Sequence, residues 1–323
     1  MATAEQLKSL IRSHFNNNVD LFTTIALQLA AHEARQGHTE IAHDIRMIID
    51  KARTERSSLN TLRVPPDLRG LMLSETPCVA LSSLVLPESL RDRINRIIHE
   101  YRQQDKWKPH GLSPRRKILL IGPPGTGKTM TAQVLSHEMR LPFHTIQVDK
   151  LVTKFMGETA AKLRQIFDLI QHETGLYLFD EFDAIGGTRD SDNDVGEMRR
   201  VLNAFLQFIE HDSSDSLIVA ATNSPRLLDR ALFRRFDDVL YYDLPEDDDR
   251  ERLMKNILTQ FLPPDFPWRH VRKESKGLGH AEIAYACRDA VKQAILSDQL
   301  TVDSGILLQM FVEKMSAHTQ KRG

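Results

Sequence analysis

The chain has 323 residues, with 43 Lys or Arg against 44 Asp or Glu and a formal net charge of -1, so a large apolar core fits within it and no global positive field recruits nucleic acid. Its two cysteines, Cys78 and Cys287, stand far apart in no metal-ligand spacing, which suits reduced thiols in a cytosolic protein. No stretch reaches the roughly 18 consecutive apolar residues of a membrane span, and the start lacks a basic region followed by an apolar signal core, so a soluble cytoplasmic protein is expected.

Residues 4–56 contain almost no helix breakers. Leu21, Ile25 and Leu29 share one helical face, and Ile41, Ile45, Ile48 and Ile49 share another. The spacing predicts a helical hairpin that turns at Gly37, with Thr39 as the N-cap of the second helix. Such a unit either docks a partner or packs on the rest of the chain. Residues 59–77 then break the period with Pro65, Pro66, Gly70 and Pro77 and read as a linker. The expected organisation is an N-terminal helical domain over 1–62, a linker over 63–78, an α/β domain over 79–246 and a helical domain over 247–323.

From Val79 onward helices alternate with short apolar runs: KILLIG at 117–122, FHTIQV at 143–148, LYLFDEFD at 176–183, LIVAATN at 217–223 and VLYYDL at 239–244. Strands buried on both faces of a parallel sheet have this composition. The acidic run 246–249 reads as a solvated loop or the start of a helix, where negative charge is favourable. Beyond it helical spacing dominates, with Ile283, Cys287, Ala290, Val291 and Ala294 as a core stripe. The fold class expected is α/β: a parallel five-stranded sheet flanked by helices, with a small helical C-terminal domain and the N-terminal hairpin.

GPPGTGKT at 122–129 fits the phosphate-loop pattern G-x-x-x-x-G-K-[ST], directly after an apolar strand and directly before a helical segment beginning at Met130. Gly122, Gly125 and Gly127 let backbone N–H groups curl round phosphates, with Pro123, Pro124 and Thr126 completing the loop. Lys128 would reach the outer phosphates, and the Thr129 hydroxyl would face Mg²⁺. LYLFDEFD predicts a buried strand that ends in carboxylates at the ligand-facing edge of the sheet. There Asp180 would hold Mg²⁺ through water, and Glu181 would orient and deprotonate the water that attacks the γ-phosphate. Asp183 is either a solubilising strand-end residue or a residue at a subunit boundary.

Over roughly residues 79–300 these motifs resemble the AAA+ ATPases, specifically the single-module branch of spastin-, katanin- and Vps4-like unfoldases. The resemblance implies a P-loop NTPase that hydrolyses ATP with Mg²⁺ and assembles as a homo-oligomer, expected to be a hexamer. LIVAATN is similar to the strand ending in the family's sensor-1 asparagine, which makes Asn223 the residue that helps place the attacking water. SPRLLDRALFRRFDDVLYYDLP looks like the segment carrying trans-acting arginines, here Arg234 and Arg235, which differ from the R-P-G-R spacing of other branches. LVTKFMGETAAKLRQIF resembles a pore loop, so that Lys154, Phe155, Met156 and Gly157 would grip an extended polypeptide; a core aromatic at a strand–helix junction is the other reading of Phe155. GGTRDSDNDVGEMRR looks like a second pore loop. KGLGHAEIAYACRDAV resembles the sensor-2 region, where His280 is either a contact to base or ribose or an ordinary helix-start residue.

A ring-forming ATPase that remodels, unfolds or threads a protein is the leading function that follows. A DNA-associated helper ATPase and a nucleotide-gated scaffold are the other classes considered. Neutral overall charge and Phe155 in the pore segment weigh against nucleic acid. The layout also resembles small bacterial ATPases encoded beside subtilisin-like serine proteases, some in anti-phage defence pairs, which implies a separate serine protease as partner. No GxSxG or HExxH motif occurs in these residues.

Overall fold

The computed structural model describes residues 65–154, 158–185, 192–224 and 230–319, and in the N-terminal part Lys8, residues 25–27, 29–31, His38, residues 42–45 and Met47. The chain divides into two compact units, Met1–Arg63 and Val64–Gly323. In the first unit residues 25–27, 29–31 and 42–45 are helical, and Ile25, Ala26, Ala30 and Ala42 are buried.

The second unit is built on a six-stranded sheet. In chain order its strands are β1 Met72–Glu75, β2 Lys117–Ile121, β3 Phe143–Gln147, β4 Leu176–Asp180, β5 Leu217–Thr222 and β6 Asp238–Tyr241. They lie in the order β1-β3-β4-β5-β2-β6, with every pair parallel except β1 against β3. The sequence led us to expect five strands. The sixth, β1, comes from the stretch read as a linker, because MLSE is short and only Met72 among its residues is buried. A strand with one apolar side chain inward has no periodic signal, and pairing with the edge of β3 creates it.

The helices of this unit are α1 Glu88–Arg102, α2 Gln104–Trp107, α3 Lys128–Met139, α4 Val148–Lys154, α5 Thr159–His172, α6 Asp192–His211, α7 Arg230–Phe233, α8 Asp247–Leu258, α9 Trp268–Glu274, α10 His280–Leu296 and α11 Ser304–Thr319. On one face of the sheet Ile94, Ile97 and Ile98 of α1 and Val134 and Leu135 of α3 bury Ile118, Leu120, Leu178 and Val219. Elsewhere in the α/β part, aromatic rings contact one another in sequence: Phe167 of α5 stacks on Phe179 of β4 at 5.8 Å, Phe179 meets Phe205 of α6 edge-on at 5.1 Å, and Phe182 lies tilted against Phe205 at 4.5 Å. Helices on both faces explain why the β4 and β5 runs are almost wholly apolar.

The C-terminal helices have their own core, in which Leu253 and Met254 of α8 meet Ile283, Cys287, Ala290 and Ala294 of α10 and Phe311 of α11; Val291 is partly buried against it. The acidic run opens α8, with Glu246 as its N-cap residue. Arg250, 4% exposed, donates to the Pro245 carbonyl at 2.7 Å, to Ser275 Oγ at 3.1 Å, to the Arg272 carbonyl at 3.1 Å and to Asp247 Oδ1 at 2.6 Å. Four acceptors satisfy the buried guanidinium and fasten α8 and α9 to the segment that leaves the sheet.

Candidate active site

The phosphate loop stands at the carboxyl end of β2, where a parallel α/β sheet presents its ligand crevice. At Gly122 a Cβ would lie 2.2 Å from the Tyr242 carbonyl oxygen, so only glycine lets the loop leave the sheet here. The Tyr242 hydroxyl, buried beside the loop, donates to Thr131 Oγ1 at 2.8 Å and so ties α3 to the residue after β6. Burial pushes that phenol far above its usual pKa, which keeps it a neutral donor. Thr126 is buried and donates to the Pro123 carbonyl at 2.8 Å. Pro124 is exposed, while Met130 is half-buried and packs on the core below.

Lys128 is 7% exposed. Its Nζ donates to the carbonyls of Gly122 at 2.7 Å and Pro123 at 2.8 Å and to Asn223 Oδ1 at 2.9 Å. Burial lowers its pKa, and the carboxylates of Asp180 and Asp183 oppose that shift. Three acceptors offset the desolvation of the ammonium, and one of them joins the β2 loop to the end of β5.

Beside it, Thr129 Oγ1 donates to Asp180 Oδ2 at 3.1 Å. Two hard oxygen donors this close, one exposed and one half-buried, fit a Mg²⁺ ion that takes its remaining ligands from water and phosphate. The next residue, Glu181, has φ 51°, an uncommon conformation for a residue with a side chain. Its N–H donates to Asp180 Oδ1 at 3.0 Å, and its side chain is exposed on the crevice edge. Partial desolvation raises its pKa first, and repulsion from Asp180, Asp149 and Asp183 adds to the effect. A carboxylate with raised pKa, accessible to water and beside a magnesium-type donor pair, has the chemistry of a general base.

Asp183 belongs to the short turn Phe182–Ile185. Its Oδ1 accepts from the Asn223 backbone N–H at 3.1 Å and from Thr222 Oγ1 at 3.2 Å. The sequence carries a hint of it in the third acidic residue of DEFD, yet nothing local indicates a partner some forty residues away.

The other sequence-derived residues lie as follows. Arg235 donates to Glu210 Oε2 at 3.3 Å, whereas Arg234 is exposed and makes no hydrogen bond or ion pair among the described residues. His280 begins α10 and is half-buried; burial lowers its imidazole pKa, opposed by the Val85 backbone and Asp249. The Ala281 N–H donates to the Gly125 carbonyl at 2.9 Å, which brings the start of α10 onto the phosphate loop. Lys154 ends α4, and Phe155, Met156 and Gly157 lie outside the described residues, as does part of the second loop segment.

A family model described as "ATPase family associated with various cellular activities (AAA)" matches residues 118–244, the span from β2 to just past β6. An AAA family ATPase of Sinorhizobium fredii, y4kL, is 31% identical over 92% of this chain and 90% of its own length. A proteasome-activating nucleotidase of Methanoculleus marisnigri is 36% identical over 60% of the chain and 49% of its own length. An ATP-dependent zinc metalloprotease FtsH of Helicobacter felis is 30% identical over 79% of the chain and 41% of its own length. The match therefore spans half or less of these last two relatives. Among the described residues no helix is long and apolar enough to cross a membrane. The chain belongs to the AAA family of ATPases and hydrolyses ATP.

Proposed function

We propose that this ATPase works on polypeptides as a ring of identical copies, expected to be a hexamer, in which each nucleotide site is completed by the neighbouring copy. The observation that carries the reading is the crevice cluster. Lys128 is bonded to Asn223 at 2.9 Å, Thr129 to Asp180 at 3.1 Å, and Glu181 stands accessible beside them. In this reading Lys128 exchanges its loop carbonyls for the outer phosphates, and Thr129 and Asp180 hold Mg²⁺, which neutralises phosphate charge. Glu181 takes the proton of the attacking water, and Asn223 helps to orient that water.

Arg234 is the better candidate for the charge donated to a neighbour's site, because it is exposed and uncommitted while Arg235 is held by Glu210. An exposed guanidinium that reaches the transferring phosphoryl group stabilises the charge that builds there. The polypeptide substrate is supported by similarity to proteins named as a proteasome-activating nucleotidase and an ATP-dependent metalloprotease, and by the resemblance of the segment through Phe155 to a pore loop. Peptide-bond cleavage would fall to a separate protease, since neither HExxH nor GxSxG occurs in these residues.

Steady-state ATPase rate and solution mass, measured together for the wild type and Glu181→Gln with ATP and Mg²⁺, test the reading. The substitution is expected to lower kcat by about 10²–10⁴-fold and to trap a ring-sized species. An unchanged rate, or a monomer at every concentration, would contradict it.

A further inference from the structure

Asp183 is the one carboxylate of the DEFD run that the reading above leaves without a task. It is half-buried in a turn whose neighbouring residue, Phe182, is fully buried with its ring 4.5 Å from that of Phe205. The turn is therefore fixed from below. From it, Asp183 Oδ1 receives the Asn223 N–H at 3.1 Å and the Thr222 hydroxyl at 3.2 Å. The same Thr222 oxygen receives the Ser224 N–H at 3.1 Å. Three consecutive residues at the end of β5 are thus organised around one carboxylate. At the far side of that turn, the Asn223 side chain receives Lys128 Nζ at 2.9 Å.

We infer that Asp183 is a positioning residue for ATP hydrolysis: it sets the backbone of Asn223, and through it where the Asn223 carboxamide stands relative to Lys128 and the attacking water. The inference rests on the site reading proposed above. One observation favours it over a solubilising or boundary role. The carboxylate is spent on two inward-facing donors, one of them the backbone of the very residue whose side chain meets Lys128.

The hydrogen bonds of the carboxylate and its charge separate by substitution. In Asp183→Asn an amide oxygen still accepts both hydrogen bonds but the charge is gone; in Asp183→Ala both are gone. The full-length protein is assayed for kcat and KM for ATP, with melting temperature and oligomeric mass recorded in parallel. Asp183→Ala should lower kcat by about 10–100-fold with KM changed by less than about threefold, and Asp183→Asn should retain most of kcat. Asn223→Ala combined with Asp183→Ala should be no slower than Asn223→Ala alone, since both act on one position. Multiplicative losses in that pair, or wild-type kcat in Asp183→Ala, would each overturn the inference. If instead Asn223→Ala or Glu181→Gln leaves hydrolysis intact, the site reading itself fails, so the two failures are told apart.

Discussion

At the scale of single residues, the crevice is a set of donors and acceptors whose occupants are fixed by charge. Lys128 is desolvated and held by three oxygens, Glu181 is an accessible carboxylate with raised pKa, and Asn223 joins the two loops. The arginine pair shows what sequence cannot carry. Arg234 and Arg235 are chemically identical and adjacent, and only the fold, by bringing Glu210 from α6 to Arg235, distinguishes them. Arg234→Ala is therefore expected to cost about 10³-fold or more in kcat, and Arg235→Ala to act chiefly through the loss of a half-exposed ion pair, worth about 1 kcal/mol or less in stability. Kinetic and thermal measurements on both variants check this; equal kinetic losses would place both side chains at the phosphates. The strand–loop–helix setting of the phosphate loop was legible from its eight contiguous residues, although the helix begins at Lys128, two residues before the expected Met130. Asp183 was not, since its partners are distant in sequence.

At the scale of elements, the sheet places every crevice group at the carboxyl ends of β2, β4 and β5. The runs of β4 and β5 were the most legible, because helices on both faces leave those strands almost no polar positions to fill. Edge strand β1 was hidden by its single inward side chain, and Arg250 by a charge that sequence reasoning assigns to solvent. The junction of β2 with the phosphate loop is the tightest of these connections. Gly122→Ala would drive a methyl against the Tyr242 carbonyl at 2.2 Å, with an expected loss of about 3 kcal/mol or more. A denaturant midpoint unchanged from wild type would refute that packing argument.

His144 makes a second prediction at this scale. Its ring is buried between β1 and β4, with Nδ1 at 2.9 Å from Ser74 Oγ and the ring centroid 5.0 Å from that of Tyr177. Burial lowers its pKa from 6.5 to about 4. The unfolded chain binds this proton first, so the contribution to stability is complete above pH about 6.5 and falls away as the pH drops toward about 4. The loss is on the order of 3 kcal/mol at most. In His144→Leu the difference in unfolding free energy between pH 7 and pH 4.5 should shrink; an identical pH slope in the variant would show that His144 is not the titrating group.

At the scale of the whole molecule, three hydrogen bonds join the C-terminal helices to the α/β part of the second unit. The start of α10 donates to the Gly125 carbonyl, Arg252 of α8 donates to the Leu86 carbonyl at 2.6 Å, and Arg250 holds the Pro245 segment. The first of these bonds ties the phosphate loop directly to a C-terminal helix. None of the three was visible in the sequence, where each joins a residue of the helical part to one of the α/β part. What the sequence did carry is the proposed division of the site: Lys128, Thr129, Asp180, Glu181 and Asn223 on one copy, and an arginine pair to act on the next.

Mixing two defective proteins tests that division most directly. Glu181→Gln supplies an intact Arg234 but lacks the base, and Arg234→Ala supplies an intact base but lacks the arginine. Each alone is expected to hydrolyse ATP poorly. Co-assembled rings should recover a substantial fraction of the wild-type rate, because interfaces that pair Glu181 of one variant with Arg234 of the other are complete. Mixed assemblies shown to form by mass, yet no faster than either parent, would contradict a nucleotide site shared between neighbouring copies.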